Sequence, residues 1–200
     1  VAVVKPTLEL LAGIPSVVYG FFAFIYIGPL VMELGEYFYQ NGWIDQPPNV
    51  LNPINGAIVV GVMILPLVAS MSEDALRAVP NELREGSLAL GATKIETTFK
   101  VMIQASLSGI IASIILALSR AVGETMAVTL AVGTVAVYTA NMFVPAQTMT
   151  AYIAQRVGGD LPFGEIGYLT IFAVGLYLFI ITLTLNLIGN KILSTYMEAY

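Results

Sequence analysis

The chain has 200 residues, 58% of them hydrophobic and only 10% charged, with a formal net charge of −5. A soluble globular domain carries about 25% charged residues, so this chain lacks the polar surface that would keep it in water. A cytosolic or secreted globular protein and a disordered one are both excluded, and the acidic balance argues against nucleic acid as a partner. With no Cys and no His there is no disulfide framework, no thiolate metal site and no histidine base. No catalytic residue, metal site or cofactor is expected. The composition is that of an integral membrane protein in a lipid bilayer.

Charge-free runs mark the crossings at 10–32, 46–72, 101–119, 125–155 and 166–190. About 20 apolar residues are needed to span the hydrocarbon core. The pattern predicts helices near 14–34, 54–71, 97–122 continuing to about 138, and 165–191. The period is not that of alternating strands, so a β-barrel is not expected. The chain starts at Val1 rather than Met, and no signal pattern precedes the first apolar run. It is therefore expected to begin partway through a longer protein.

Gly13-Ile14-Pro15-Ser16 opens the first visible span, with Pro15 suited to an early helical position. Ser16 and Gly20 form a small-xxx-small pair that reads as packing rather than substrate binding, and Pro66 is a candidate kink in the second span. The third unit is unusual. A straight helix over 97–138 would run about 60 Å at 1.5 Å per residue, so it must tilt, bend or break, most readily at Gly123 beside Glu124.

Lys and Arg counts orient the chain. The segment 72–104 carries Arg77, Arg84, Lys94 and Lys100, whereas 33–53 has only Glu33, Glu36 and Asp45. The positive-inside rule places 72–104 in the cytoplasm and 33–53 outside. Lys191 fits a cytoplasmic end, and Arg156 is the exception on the outer side. Tyr37, Phe38, Tyr39 and Trp43 sit where an interfacial aromatic belt belongs. The outer segment 141–164, rich in polar residues, reads either as a solvated connector or as a surface that meets an external binding protein.

The stretch from Ser70 to Gln104 is more than a loop. Ser72 followed by Glu73 and Asp74 has the form of a helix start. Val79 before Pro80 is a break, and Pro80 suits the start of a new helix. Gly91 is the left-handed stop, and Thr93 with Glu96 spells a capping box. A short helix near 80–90 between two sharp turns results. Its Leu83, Leu88 and Leu90 suggest an apolar side that could lie on lipid. Five acids against four bases across 72–104 suit anionic lipid poorly, and a mixed-charge, turn-bounded helix suits a protein groove better.

Glu85-Gly86-Ser87 with Leu88-Ala89-Leu90-Gly91, then nine residues and Val101-Met102-Ile103-Gln104, resembles the EAA motif of ABC-importer permeases, roughly E-A-A-x3-G-x9-I-x-L-P. Gly86 and Ser87 replace the two alanines and Gln104 the closing proline, while the Gly91 spacing is kept. The resemblance implies that this helix docks into a cleft of a cytoplasmic ATPase subunit. Arg84, Glu85, Gly86, Ser87, Leu88, Gly91 and Ala92 are the coupling residues so implied, within a cytoplasmic coupling segment at 72–96.

Arg120 and Glu124 lie between two apolar runs, where a charge costs about 2.5–3.5 kcal/mol on insertion scales. At i, i+4 on one helix they could pair with each other. Ser106, Gly109, Ser113, Ala117, Arg120 and Glu124 form one stripe at helical spacing, which reads as a close-packed interface or as a pathway wall. In one reading the two charges neutralise each other and lock the helix to a neighbour. In the other, Arg120 offers a planar donor fork to a tetrahedral oxyanion. Glu124 then positions the guanidinium and keeps the anion from binding too tightly to leave, with Ser119 and Thr125 supplying hydroxyls.

The segments 10–22, 73–93 and 119–128 are similar to phosphate ABC-transporter permeases, and 149–155 and 172–188 favour the PstC type over the PstA type. The similarity covers essentially all of 1–200. It implies an all-α, polytopic transmembrane helical bundle of the type I importer (MetI-like) class, about four spans visible of an expected six. It also implies the inner or plasma membrane and three partners: a second permease of the PstA type, a cytoplasmic ATP-binding subunit dimer and an extracytoplasmic phosphate-binding protein. No Gly-rich phosphate loop followed by Lys is present in the sequence, so ATP hydrolysis is expected in a separate chain. An Arg fork does not by itself separate phosphate from sulfate, molybdate or tungstate. A stand-alone secondary transporter would show inverted repeats, and none is evident; a purely structural membrane subunit would use Arg120 only for packing.

Overall fold

The computed structural model describes residues 4–159 and 164–196. Among them the chain is helical, with an isolated antiparallel bridge between Thr134 and Gln147 as the β-type pairing. We number the helices α1 (Val4–Ala12), α2 (Ser16–Gln40, with a π-turn over Ala23–Ile27), α3 (Pro53–Arg77), α4 (Asn81–Ala89) and α5 (Lys94–Ala105, with a π-turn over Thr98–Met102). They continue as α6 (Leu107–Val122), α7 (Met126–Val132), α8 (Met149–Val157) and α9 (Ile166–Tyr196). α2, α3 and α9 are each long and apolar enough to cross a membrane, and α5 with α6 forms a fourth candidate crossing bent by 64°.

Two compact units divide the fold. The first takes the chain up to Ala12, Ile64–Arg120, and the residues from Leu183 onward. Here Lys5 on α1 donates to the Asp74 carboxylate on α3 at 2.8 Å and lies 3.9 Å from Glu73. The Asp74 hydrogen bond raises the Lys5 pKa above that of an ordinary lysine. Small residues let α3 and α6 approach closely: a Cβ on Gly109 would stand 2.5 Å from that of Ala75, and the Ser72 and Ser113 hydroxyls pair at 3.0 Å. Ser106, Ser113 and Ala117 are buried. The sequence stripe from Ser106 to Ala117 is thus a close-packed helix interface. On another side of α6, Ile115 packs against Gly189 of α9, and Ser119 Oγ donates to Asn186 Oδ1 at 2.7 Å.

The second unit comprises Gly13–Met63 and Ala121–Thr182. α2 packs along α7, with Gly20 against Leu130 and Ala127, so the small residue there serves packing. Its polar centre is Asn52 and Asn55, both fully buried. Asn52 Oδ1 accepts the Asn55 N–H at 2.8 Å and so caps α3, while the Asn52 N–H and Asn55 Nδ2 donate to the Ala131 carbonyl at 3.1 and 3.3 Å. These bonds satisfy backbone at a helix start and a helix end together. Phe38 stacks on Trp43 and Phe143.

Several expectations need correction. Ser72 does not begin a helix: α3 runs through it, and through Pro66, to Arg77, because no breaker follows until Val79-Pro80. Glu73 and Asp74 therefore lie near a helix C-terminus, an unfavourable end for acids, where Lys5 and Arg77 offset them. The third unit does not continue to 138. It stops at Val122, resumes at Met126 and ends at Val132, where Gly133 has φ +99°. An unanticipated bend falls at Ser106, whose hydroxyl donates back to the Met102 and Ile103 carbonyls just after the π-turn.

Gly109→Leu should destabilise the purified protein by about 1–3 kcal/mol, as core overpacking does. Gly61→Ala, where the added Cβ meets nothing within 4 Å, should not. Thermal unfolding in detergent followed by size-exclusion fluorescence compares them, and equal midpoints for the two variants would contradict the packing account.

Candidate functional site

The first candidate region is α4 and its turns. Pro80 stands at the N-cap and Asn81 begins the helix. At the other end the Ala92 N–H reaches the Ser87 carbonyl at 3.2 Å and the Gly91 N–H the Leu88 carbonyl at 3.0 Å. That is a Schellman motif, with Gly91 at φ +89° supplying the left-handed residue. The restart is a complete capping box: the Glu96 N–H donates to Thr93 Oγ1, and the Thr93 N–H donates to Glu96 Oε2 at 3.0 Å. The two turns anticipated from sequence are both present.

The residues of α4 separate into two groups. Arg84 and Leu88 line a cavity of about 280 Å³ with Leu76, Lys94, Thr97 and Met102, and Ser87 shares a hydrogen bond of 3.1 Å with the buried Thr97. These join α4 to α5. Glu85 and Gly86 are exposed, a Cβ on Gly86 would meet nothing within 4 Å, and Leu90 is 91% exposed. Ala92 is half-buried behind Gly91. Leu83, Leu88 and Leu90 therefore do not form one buried side; Leu90, with the exposed Ile95 and Phe99 of α5, leaves apolar surface around the Gly91 turn.

The second region is the break after α6. Arg120 lies exposed in the last turn of α6 and makes no ion pair or hydrogen bond among the described residues. The expected i, i+4 pairing with Glu124 is absent because the helix stops at Val122, so Glu124 is not on the Arg120 helix. Glu124 Oε1 instead accepts the Ala127 N–H at 3.2 Å, and the Glu124 carbonyl accepts from Thr150 Oγ1 at 2.7 Å. The carboxylate thus sits at the start of α7, where orphan N–H groups favour an anion. Ser119 and Thr125 have their hydroxyls engaged, the first with Asn186 and the second with the Gly123 carbonyl at 3.3 Å.

Half-buried Glu124 faces a cavity of about 510 Å³ in the second unit. Its walls include Gly56, Val60, Val128, Gln147, Thr148 and Thr150, and Glu124 is their charged member. The sequence reading did not single out Thr148 and Thr150. Their signal is modest: Thr148 caps α8 by accepting the Ala151 N–H at 3.2 Å, and Thr150 follows two residues on, beyond Met149.

This is the architecture of an importer permease. The structure of the methionine ABC transporter MetNI, in inward-facing conformations, matches with a TM-score of 0.67 at 20% identity, over 98% of this chain and 74% of that one. Residues 2–193 match the family described as binding-protein-dependent transport system inner membrane component, and the chain belongs to that family. It is 36% identical to a probable ABC transporter permease, YqgH, of Bacillus subtilis over 90% of this chain and 55% of that protein. It is 34% identical to the phosphate transport system permease PstC of Mesorhizobium japonicum over 92% of this chain and 59% of that one. The probable PstC of Methanocaldococcus jannaschii is also 34% identical, over 95% and 62%. The chain thus spans somewhat more than half the length of these relatives, and it is a multi-pass membrane protein.

Thr93→Ala should lower stability by about 1 kcal/mol through loss of the helix cap, while Glu96→Gln, which keeps a capping-box side chain, should cost less. Thermal midpoints in detergent compare them. A larger loss for Glu96→Gln would mean that charge, rather than the cap, holds the turn.

Proposed function

We propose that this chain is a transmembrane subunit of an ATP-driven phosphate importer. It forms the translocation path with a second, PstA-type permease, takes phosphate from an extracytoplasmic binding protein and takes energy from a cytoplasmic ATP-binding subunit dimer. The observation that carries this reading is the similarity to PstC permeases along more than nine-tenths of the chain, which supplies the substrate that an Arg fork alone does not. In this reading 72–104 is cytoplasmic and 33–53 external, within the inner or plasma membrane.

Charge has divided roles in such a path. Arg120 keeps its guanidinium uncommitted, so its five donors are available to a tetrahedral oxyanion. Glu124, fixed at the start of α7, holds a negative charge in the cavity wall and limits how long an anion stays. Neither role requires the two side chains to pair. The exposed face of α4, with Glu85, Gly86 and Leu90, meets the ATPase, while its motion passes to α5 through the Ser87–Thr97 bond and through the cavity that Arg84 and Leu88 line.

Uptake of inorganic phosphate by proteoliposomes holding the whole complex tests the assignment. Arg120→Ala should reduce uptake by roughly tenfold or more, the scale of a lost charged hydrogen bond, with Arg120→Lys intermediate because the charge remains without the fork. Glu124→Ala should also slow release. Normal phosphate uptake in both alanine variants at wild-type protein levels would remove Arg120 and Glu124 from the path. A wild-type complex that carries sulfate or molybdate but not phosphate would overturn the substrate.

A further inference from the structure

Arg156, in the last turn of α8, breaks the positive-inside pattern, which disfavours but does not forbid a basic residue on the outer side. Among the described residues no carboxylate lies within ion-pair distance of it. Its guanidinium carbon instead lies 5.4 Å from the centre of the Tyr152 ring, within the range of a cation–π contact. The ring is itself held, because the Tyr152 hydroxyl and Thr170 Oγ1 are 2.8 Å apart.

Arg156 opens onto a second cavity, of about 410 Å³, whose walls also include Thr134, Gln147, Tyr152 and Gln155. Donors predominate there. Gln147 Nε2 donates to Gln155 Oε1 at 2.7 Å, which leaves the Gln155 amide N–H groups unengaged among the described residues. Thr134 adds a hydroxyl, and its backbone is pinned by the bridge to Gln147. Gln147 also lines the Glu124 cavity, so one side chain belongs to the walls of both.

We propose that this cavity is a second oxyanion-binding site, an outer vestibule in which Arg156, Gln155 and Thr134 receive the anion and from which Gln147 controls passage to the Glu124 cavity. The inference rests on the transport reading above and adds to it the point where substrate first meets this subunit. The chemistry fits a tetrahedral oxyanion: a guanidinium fork held from beneath by an aromatic ring and neutral donors beside it. With Glu124 beyond Gln147, the anion would move from a positive site toward a negative one, which suits a holding step ahead of a gated one.

Two measurements on the complete complex test it. In the first, purified wild-type complex is treated with phenylglyoxal, and modification of Arg156 is followed by peptide mass spectrometry. Millimolar inorganic phosphate should slow that modification severalfold, while chloride at equal ionic strength should not; no difference between the two would overturn the site. In the second, Arg156→Ala should cut phosphate uptake by roughly tenfold, the scale of one charged hydrogen bond, and Arg156→Lys should recover part of it. Binding of the loaded binding protein to the complex should stay unchanged in both. Weakened docking in step with uptake would make Arg156 a protein contact and overturn the proposal. Wild-type phosphate uptake is the control that separates the readings: its absence sinks the transport assignment, whereas its presence with an unprotected Arg156 sinks only the vestibule.

Discussion

Backbone hydrogen bonding without water governs this fold. In hydrocarbon each unpaired N–H or C=O costs several kcal/mol, so every interruption of a helix needs local donors and acceptors. The breaks here are supplied with them. Asn52 caps the start of α3 and Asn55 reaches the end of α7. On the water-facing side the Schellman turn at Gly91 and the capping box at Thr93 satisfy the chain in the same way. Ser106 bonds back at the bend between α5 and α6, and Glu124 and Thr148 accept N–H groups at the starts of α7 and α8. Polar residues that look scarce and scattered along the sequence are concentrated where the helix ladder is interrupted.

The same constraint separates charge engaged by the backbone from charge left uncommitted. Had the helix continued through 123–125, Arg120 and Glu124 would have faced each other across one turn and neutralised each other. The break assigns Glu124 to the backbone of α7 and leaves Arg120 without an intramolecular partner among the described residues. Charge in a membrane segment is costly, and the proposed transport path gives the uncommitted Arg120 an external partner. The small residues of α6 and its start, by contrast, have no spare capacity: Ser106, Ser113 and Ala117 are buried, and Gly109 is packed so closely on α3 that a methyl group would not fit.

Much of this was legible in the sequence, because the devices are local. Pro80, Gly91, Thr93 and Glu96 act over three or four residues, and their spacing specifies the turns around α4. The apolar runs behind α2, α3 and α9 were equally plain. What escaped was set by contacts distant along the chain. Ser72 has the letters of a helix cap, yet its hydroxyl pairs with Ser113, 41 residues away. The stop at Gly133 depends on a backbone turn packed near Leu51 and Pro145, and Asn55 takes its meaning from Ala131, 76 residues away. The Arg120–Glu124 register was misread because helical spacing presumes a helix, and Gly123 marked its end.

The proposed coupling rests on α4, whose C-terminal Schellman turn runs directly into the capping box that starts α5 and so fixes the junction between the two helices. These 200 residues contain no cysteine, so a single cysteine introduced among them is the one reporter there. The most direct measurement places one at Leu90, another at Glu85 and a control at Gly61, then assays disulfide trapping to a cysteine-bearing ATP-binding subunit in assembled complexes. The account predicts crosslinks from positions 85 and 90 whose yields change between nucleotide-free and ATP-bound states, and none from 61. Efficient assembly and ATP-driven transport without trapping from either α4 position, at any nucleotide state, would contradict it.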